Sequence, residues 1–241
     1  MKYVGSELEL FAQARNWKSY FCTQIKPFLG SEVVEVGAGL AGTTRVLLSD
    51  GARHQRWVCL EPDPELCEHI EPGRLPSFVE VQCSTLEPMA DASFDSILYI
   101  DVLEHIEHDR AELESALRRL RPGGHLIVLS PAHQFLYSPF DQAIGHFRRY
   151  SRTALEACGP PGSRLVRSRY LDSLGFFLSL ANSRMLRQSM PTPRQVAFWD
   201  KVVVPISRRL DPLLGYHFGK SVLCIWQKGW PASCPSGRTC E

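Results

Sequence analysis

No apolar run in this chain approaches the roughly 20 residues that a bilayer-spanning helix needs, so no transmembrane segment is expected. The eight cysteines, at 22, 59, 67, 83, 158, 224, 234 and 240, form no CxxC pair and no regular framework. Cys59 and Cys224 sit in apolar runs, Trp57-Val58-Cys59-Leu60 and Val222-Leu223-Cys224-Ile225, and read as reduced core residues of a cytoplasmic protein. Neither sign of charge is in excess. The formal net charge is +1, which gives no basis for nucleic-acid binding through bulk electrostatics. Lysine is scarce, 6 against 21 arginines, a bias that codon usage explains as well as any function does. The early acids Glu7 and Glu9 are foreign to a signal peptide, and none is expected. Internal repeats and low-complexity segments are absent. What is there, 44% hydrophobic and 22% charged residues in 241, suits one globular α/β domain with a lid and a proper core.

Residues 6–28 carry a helical period through Leu8, Phe11, Ala12, Arg15, Trp17, Tyr20, Phe21 and Ile25. Ser6 and Glu9 supply a capping box at its start, and Pro27 and Gly30 end it. Strands and helices then alternate: Val33–Val36, a helix to about Ser49, Arg56–Leu60, a helix Pro64–Ile70, Phe78–Gln82 and Phe94–Ile100. Leu113, Leu117 and Leu120 mark an amphipathic helix that Arg121-Pro122-Gly123-Gly124 stops, and His125–Ser130 is a fifth strand. This alternation predicts a parallel sheet wound on both faces. Residues 131–150 read as a loop over the carboxyl ends of the strands, and Arg152–Ala157 as a short helix. Arg164–Leu171 reads as a sixth strand, residues 172–218 as two or three amphipathic helices, and Ser221–Gln227 as a final strand. Residues 231–241 are polar and cysteine-bearing, the composition of a frayed, flexible tail.

Between the first strand and its helix stands Glu35-Val36-Gly37-Ala38-Gly39-Leu40-Ala41-Gly42. Its glycines open backbone angles closed to other residues and let a ligand approach the main chain. A strand, a tight loop and a helix N-terminus are the arrangement used for nucleotide-containing cofactors. With Glu61 standing about 20 residues on, the loop also fits a dinucleotide fingerprint, so an NAD(P)-dependent oxidoreductase has to be weighed. Glu35 argues against it. A carboxylate at that strand end would repel a pyrophosphate and suits a cationic ligand group.

Further signals accompany the loop: Glu61 after the second strand, Phe94-Asp95 through Ile100-Asp101-Val102-Leu103-Glu104-His105, and Leu120-Arg121-Pro122-Gly123-Gly124 before the fifth. In this order, over roughly residues 30–130, the chain resembles the class I S-adenosylmethionine-dependent methyltransferases. Ala41 departs from the pattern where the family often has a third glycine. The resemblance implies S-adenosyl-L-methionine as cofactor. Gly37, Ala38 and Gly39 would approach its methionine part, with Thr43 and Thr44 at the helix start, and Glu35 would orient its amino group. It further implies that Glu61 binds the ribose hydroxyls, that Leu60 and Pro62 flank the adenine, and that Ser84, Thr85 and Leu86 meet the adenine edge. Asp101 and Val102 would complete the cofactor site.

Glu104-His105-Ile106-Glu107-His108-Asp109 brings two histidines onto one helical spacing, but no third ligand stands at convincing spacing and no metal is expected. Gly145-His146-Phe147-Arg148-Arg149-Tyr150 is the most concentrated unusual stretch outside the core. It follows the fifth strand, where this family places substrate-contacting residues. His146 is a candidate proton acceptor, with His105 next and Asp101 after it; His133 is a weaker candidate. Tyr137, His146, Arg149 and Tyr150 are candidate acceptor-binding residues, an arginine there being suited to a carboxylate or phosphate. The apolar faces at Leu174, Phe176, Phe177 and Leu180, and at Val196, Phe198, Trp199, Val202 and Val203, fit core, a homodimer interface, an apolar substrate channel or contact with lipid.

The expected architecture is a Rossmann-like, doubly wound sheet of seven strands, the last antiparallel, within one domain at 1–230. Residues 1–30 form its N-terminal helical segment, and 131–151 and 172–218 form lid insertions on the substrate side. The expected activity is methyl transfer to O or N of a small, partly hydrophobic acceptor such as a polyketide, a modified peptide or a lipid-linked sugar, in the biosynthesis of a specialised metabolite. A non-catalytic cofactor-binding partner is a competing reading. Nucleic-acid methylation has no support, since no Asn-Pro-Pro-Tyr-type motif is present.

Overall fold

The computed structural model describes residues 7–51, 54–185 and 191–230. Its N-terminal part is two helices, α1 (Glu7–Ala12) and α2 (Arg15–Ile25), where the sequence pattern predicts one. The break is imposed from a distance. The carboxylate of Asp200 accepts the N–H groups of Asn16 (3.3 Å) and Trp17 (2.9 Å) and so caps α2, whose own N-cap, Ala14, has no side chain to do so. Ser6, the expected cap, lies outside the described residues, as does the expected tail at 231–241.

The sheet contains β1 (Glu32–Val36), β2 (Arg56–Leu60), β3 (Val79–Gln82), β4 (Phe94–Ile100), β5 (Leu120–Pro131), β6 (Ser163–Leu171) and β7 (Ser221–Lys228). Their order is β3-β2-β1-β4-β5-β7-β6, with β7 antiparallel to both of its neighbours. The expected seven-stranded sheet with an antiparallel last strand is therefore present. Alternate residues of one strand enter different cores. Val34, Val58, Ile97 and Val128 pack on one face, and Val33, Trp57, Leu98 and Ile127 on the other. Burial on both faces is why these strands read as unbroken apolar runs.

Helix α3 (Gly42–Leu47) follows β1, α4 (Pro64–His69) follows β2, and α5 (Asp109–Arg119) lies between β4 and β5. Leu120, expected in the last helix, is already strand and pairs with Phe94. The next pairing is Ser96 with His125, so Arg121-Pro122-Gly123-Gly124 is an excursion within β5 rather than a stop before it. Asp95 fastens this excursion to the start of β1. It takes the N–H groups of Ser31 and Glu32 on one oxygen and Arg121 on the other, 3.1 Å away.

The stretch expected as loop after β5 contains α6 (Pro139–Ala143) and is tied back to β5 through a bridge between Ala132 and Tyr150. Helix α7 (Arg152–Glu156) leads to β6. Helices α8 (Ser173–Met185), α9 (Pro193–Phe198) and α10 (Val204–Leu213) precede β7, a π turn at Trp199–Val203 joining α9 to α10. Cys22, Cys59, Cys158 and Cys224 are buried free thiols.

Candidate active site

The parallel strands end on one edge of the sheet, and antiparallel β7 begins there. A cavity of about 820 Å³ lies over that edge. Its lining runs from Glu35, Gly37, Ala38, Gly39 and Thr43 after β1, through Asp101, Glu104 and His105 after β4, to His146, Arg149 and Lys220. The volume is within the roughly 300–1,000 Å³ range of small-molecule sites.

Glu35 is 2% exposed, its carboxylate accepting the Thr44 hydroxyl. Burial pushes its pKa up to about 7 against the opposing hydrogen bonds from Thr44 and Thr43. Neighbouring threonines thus do different work. Thr43 borders the cavity, while Thr44 is wholly buried behind Glu35 and also accepts from the Trp57 indole at 2.9 Å. Thr44 is therefore a support for Glu35 and does not face a ligand. Gly37 and Gly39 have φ of +65° and +53°, a region glycine enters freely. A Cβ on Gly37 would stand 2.6 Å from Val102 Cγ2, so Val102 packs under the loop and does not line the cavity. Ala38 donates its N–H to the Leu60 carbonyl at 2.9 Å, closing the loop onto β2.

Glu61 does not border this cavity. Its oxygens accept the N–H groups of Gly39 (2.8 Å) and Asp63 (3.0 Å), which braces the glycine loop. Pro62, Ser84 and Thr85 lie outside the lining as well, and Leu86 is in the core, 2% exposed. The expected adenine contacts are thus not gathered around the cavity.

At the other end, Asp141 organises the loop. It is fully buried, holds Arg149 through both oxygens (2.8 and 3.0 Å), and accepts Nδ1–H of His146 at 2.9 Å. An ionised carboxylate only accepts, so the Nδ1 proton is fixed, and in the neutral ring Nε2 carries the lone pair. That Nε2 is 3.8 Å from Glu104 Oε1, a fully buried oxygen without a hydrogen-bond partner, while Glu104 Oε2 takes the Ser130 hydroxyl at 3.0 Å. The His105 ring meets the His146 ring edge-on at 4.5 Å. Burial and the nearby Asp101 push the Glu104 pKa well up; burial, helped by His146, brings His105 down to about 4. Asp101 is exposed into the cavity, with protein packed densely around its carboxylate. Burial raises it to about 6 although His146, Lys18 and Lys220 pull the other way. Glu104, His105 and His146 each bring one possible ligand atom within 4.8 Å of the others, a grouping that leaves out His108, the histidine paired with His105 by spacing along the chain.

Tyr137 and Tyr150 do not face the cavity. The Tyr137 hydroxyl donates to the His146 carbonyl at 2.7 Å, and Tyr150 is a core residue whose hydroxyl donates to Asp109 at 2.7 Å. Arg148 pairs with Asp109 at 2.8 Å, and His133 stacks on Tyr170, both outside the lining. Trp199, one of the residues that fit an apolar substrate channel, lines it, and so do Phe11, Trp17, Lys18 and Lys220, unforeseen from sequence. Of these four, only Lys220, next to the apolar run of β7, carried any local signal. Its ammonium lies 5.2 Å from the Trp199 ring centre.

Residues 34–128 match the family model described as a methyltransferase domain. Over this stretch, less than half of the chain, the sequence is similar to methyltransferase domains. A demethylmenaquinone methyltransferase of Tropheryma whipplei (strain Twist) is 29% identical over 126 residues, 51% of each chain. A probable S-adenosylmethionine-dependent methyltransferase of Mycolicibacterium smegmatis is 32% identical over 112 residues, 46% of this chain and 41% of its own. The chain thus spans about half the length of the curated relatives it matches. In fold, it is similar to the methyltransferase in a complex with the Haloferax volcanii Trm112 activator, at a TM-score of 0.65 and 16% identity over 96% of this chain and 100% of that one.

The cofactor that these similarities point to is S-adenosyl-L-methionine. The residues present fit it at the methionine end. Glu35 reaches the cavity as a buried carboxylate, and a Cβ on Gly39 would meet nothing nearer than Leu8 at 3.5 Å, so that stretch of main chain is open to a ligand. At the ribose end Glu61 lies outside the cavity and braces the glycine loop, so the fit is carried by the methionine end.

Proposed function

We propose that this chain transfers a methyl group from S-adenosyl-L-methionine to an oxygen or nitrogen of a small, partly apolar acceptor. The observation that carries this reading is the continuity of the cavity, one enclosure bordered by Glu35 and the glycine loop at one end and by His105, His146 and Lys220 at the other. When bound, the cofactor supplies an electrophilic methyl group on a sulfonium. Glu35 would hold its ammonium group, Gly37 and Gly39 would offer main-chain contacts, and Glu61 would keep the glycine loop in place through the Gly39 N–H. His146 accepts the acceptor's proton at Nε2, its ring held by Asp141. Phe11, Trp17, Phe140 and Trp199 wall the space, exclude water and offer faces for an apolar ring. Those walls, and the name of the Tropheryma relative, support a quinone-type or phenolic ring as acceptor.

Titration calorimetry with S-adenosyl-L-methionine, followed by mass spectrometry of phenolic and quinol acceptors, tests this. One cofactor binds per chain, and Glu35→Ala abolishes binding. His146→Gln binds the cofactor but methylates about 100-fold more slowly. Failure of the wild-type chain to bind the cofactor overturns the reading.

A further inference from the structure

The helix run from α9 through the π turn to α10 has an outer face that no part of the described structure covers. Phe198, Val202, Ile206, Leu210 and Leu213 recur at intervals of four, four, four and three residues, and each is exposed, Leu213 to 81%. The charges on this run are sorted. Arg194, Lys201, Arg208 and Arg209 are exposed, whereas both acids are buried and engaged inward. Asp200 caps α2, and Asp211 accepts the Tyr20 hydroxyl at 2.6 Å and the N–H groups of Asp172 and Ser173. Apart from Gln195, the large groups this run shows to water are apolar or cationic, in a chain whose net charge is +1.

We propose that this face docks the protein on the surface of an anionic phospholipid bilayer. A helix with an apolar stripe and cations beside it lies in the interfacial plane, the apolar groups among the acyl chains and the cations against lipid phosphates. No described helix is long and apolar enough to cross a membrane, so the run lies on the bilayer and does not span it. A second copy of the chain is the poorer occupant, since pairing this face with itself sets four cations against four. The inner side of the same run reaches the cavity through Trp199, and Pro191 just before it lines the cavity too. An apolar acceptor dissolved in the bilayer then has a short path to His146. This last step rests on the function proposed above, but the docking itself does not.

Vesicle flotation of the 241-residue chain, with neither cofactor nor acceptor present, tests the docking. Vesicles of phosphatidylcholine alone are compared with vesicles of equal parts phosphatidylcholine and phosphatidylglycerol. The wild-type chain floats with the anionic vesicles and binds neutral ones at least 10-fold more weakly, each cation at the surface contributing roughly fivefold. Leu210→Glu with Leu213→Glu, and Arg208→Glu with Arg209→Glu, each reduce anionic binding at least 10-fold. Both pairs are exposed, so circular dichroism and calorimetry with S-adenosylhomocysteine match the wild type. Absence of wild-type binding to anionic vesicles overturns the proposal, as does undiminished binding by both double variants. Light scattering that shows a dimer dissolved by the leucine replacements, with no vesicle binding, assigns the face to self-association and overturns it as well.

Discussion

Asp141 accepts Nδ1–H of His146 at 2.9 Å while gripping Arg149 with both oxygens, so one buried carboxylate sets both the tautomer of a histidine and the path of the loop that carries it. Asp141→Asn keeps the shape but loses the charge that Arg149 needs. Breaking a buried ion pair from one side costs about 3–5 kcal/mol, and for a chain of this size each kcal/mol moves the melting temperature by roughly 2–4 °C. A fall of about 6–20 °C in Tm is expected. Nitrogen-15 NMR of the imidazole checks the second consequence: the Nδ1–H tautomer of the wild type gives way to a mixture.

Asp200 is the other long-range carboxylate, bonded to the N–H groups of residues 16 and 17 from across the chain. Asp200→Ala removes the cap of α2, a loss of about 2 kcal/mol. Because α2 contributes Trp17 and Lys18 to the cavity wall, affinity for S-adenosylhomocysteine falls too. Asp200→Asn retains an acceptor and recovers part of both. Thermal melting and calorimetry read the two effects. Stability lost without any loss of affinity shows that α2 is not part of the binding wall.

Why these features were or were not legible in the sequence follows from how far apart their parts lie. β1, the glycine loop and α3 are one local unit, and glycine, the strand-end acid and apolar periodicity announce it together. The same holds for β4 and the residues after it. Asp200 and Asn16, by contrast, are 184 residues apart, and no local pattern at 13–14 calls for a helix break. The meeting of Glu104 with His146, and the arrival of Lys18 and Lys220 at one cavity, are likewise products of the fold. Thr43 and Thr44 show a subtler limit. Adjacent residues on a helix point about 100° apart, so which of them faces a ligand depends on where the helix begins, and helix ends are the least certain part of any pattern. Tyr150 looked like a rim residue because its neighbours are polar, but the bridge from Ala132 folds it into the core.

Glu35 makes binding and stability respond to pH in opposite senses. Its carboxyl titrates at about 7 in the folded chain, against an ordinary value of 4.5. Between those values the folded state holds a proton that the unfolded state has released. Stability from this group is therefore full below 4.5, falls as pH rises and levels off above 7, a loss on the order of 3 kcal/mol. The ammonium group of the cofactor prefers the ionised carboxylate, so affinity rises from pH 6 to pH 8. Glu35→Gln removes both trends: at pH 8 it melts higher than the wild type and binds S-adenosyl-L-methionine more weakly. Urea denaturation and calorimetry at pH 6 and pH 8 measure the two slopes, and a wild-type affinity that does not change over this range contradicts the role given to Glu35.

Gly37 and Val102 offer a separate test of the loop. A methyl group on Gly37 meets two obstacles: the φ of +65°, which costs an L-residue roughly 1–2 kcal/mol, and Val102 Cγ2 at 2.6 Å. Only the second can be relieved by a neighbour. Gly37→Ala alone is expected to lower Tm and weaken cofactor binding more than 10-fold, since about 1.4 kcal/mol already corresponds to tenfold. Val102→Ala alone leaves a small cavity under the loop at a modest cost. In the double variant the added methyl occupies the space that Val102 vacates, so the two losses combine to less than their sum, with a coupling of about 1 kcal/mol. The backbone strain remains, and the double variant stays below Val102→Ala in both stability and affinity. A double-mutant cycle built on urea denaturation reads the coupling directly. Strict additivity means that the loop shifts away from Val102 when Gly37 is replaced, and that its conformation is set by φ alone.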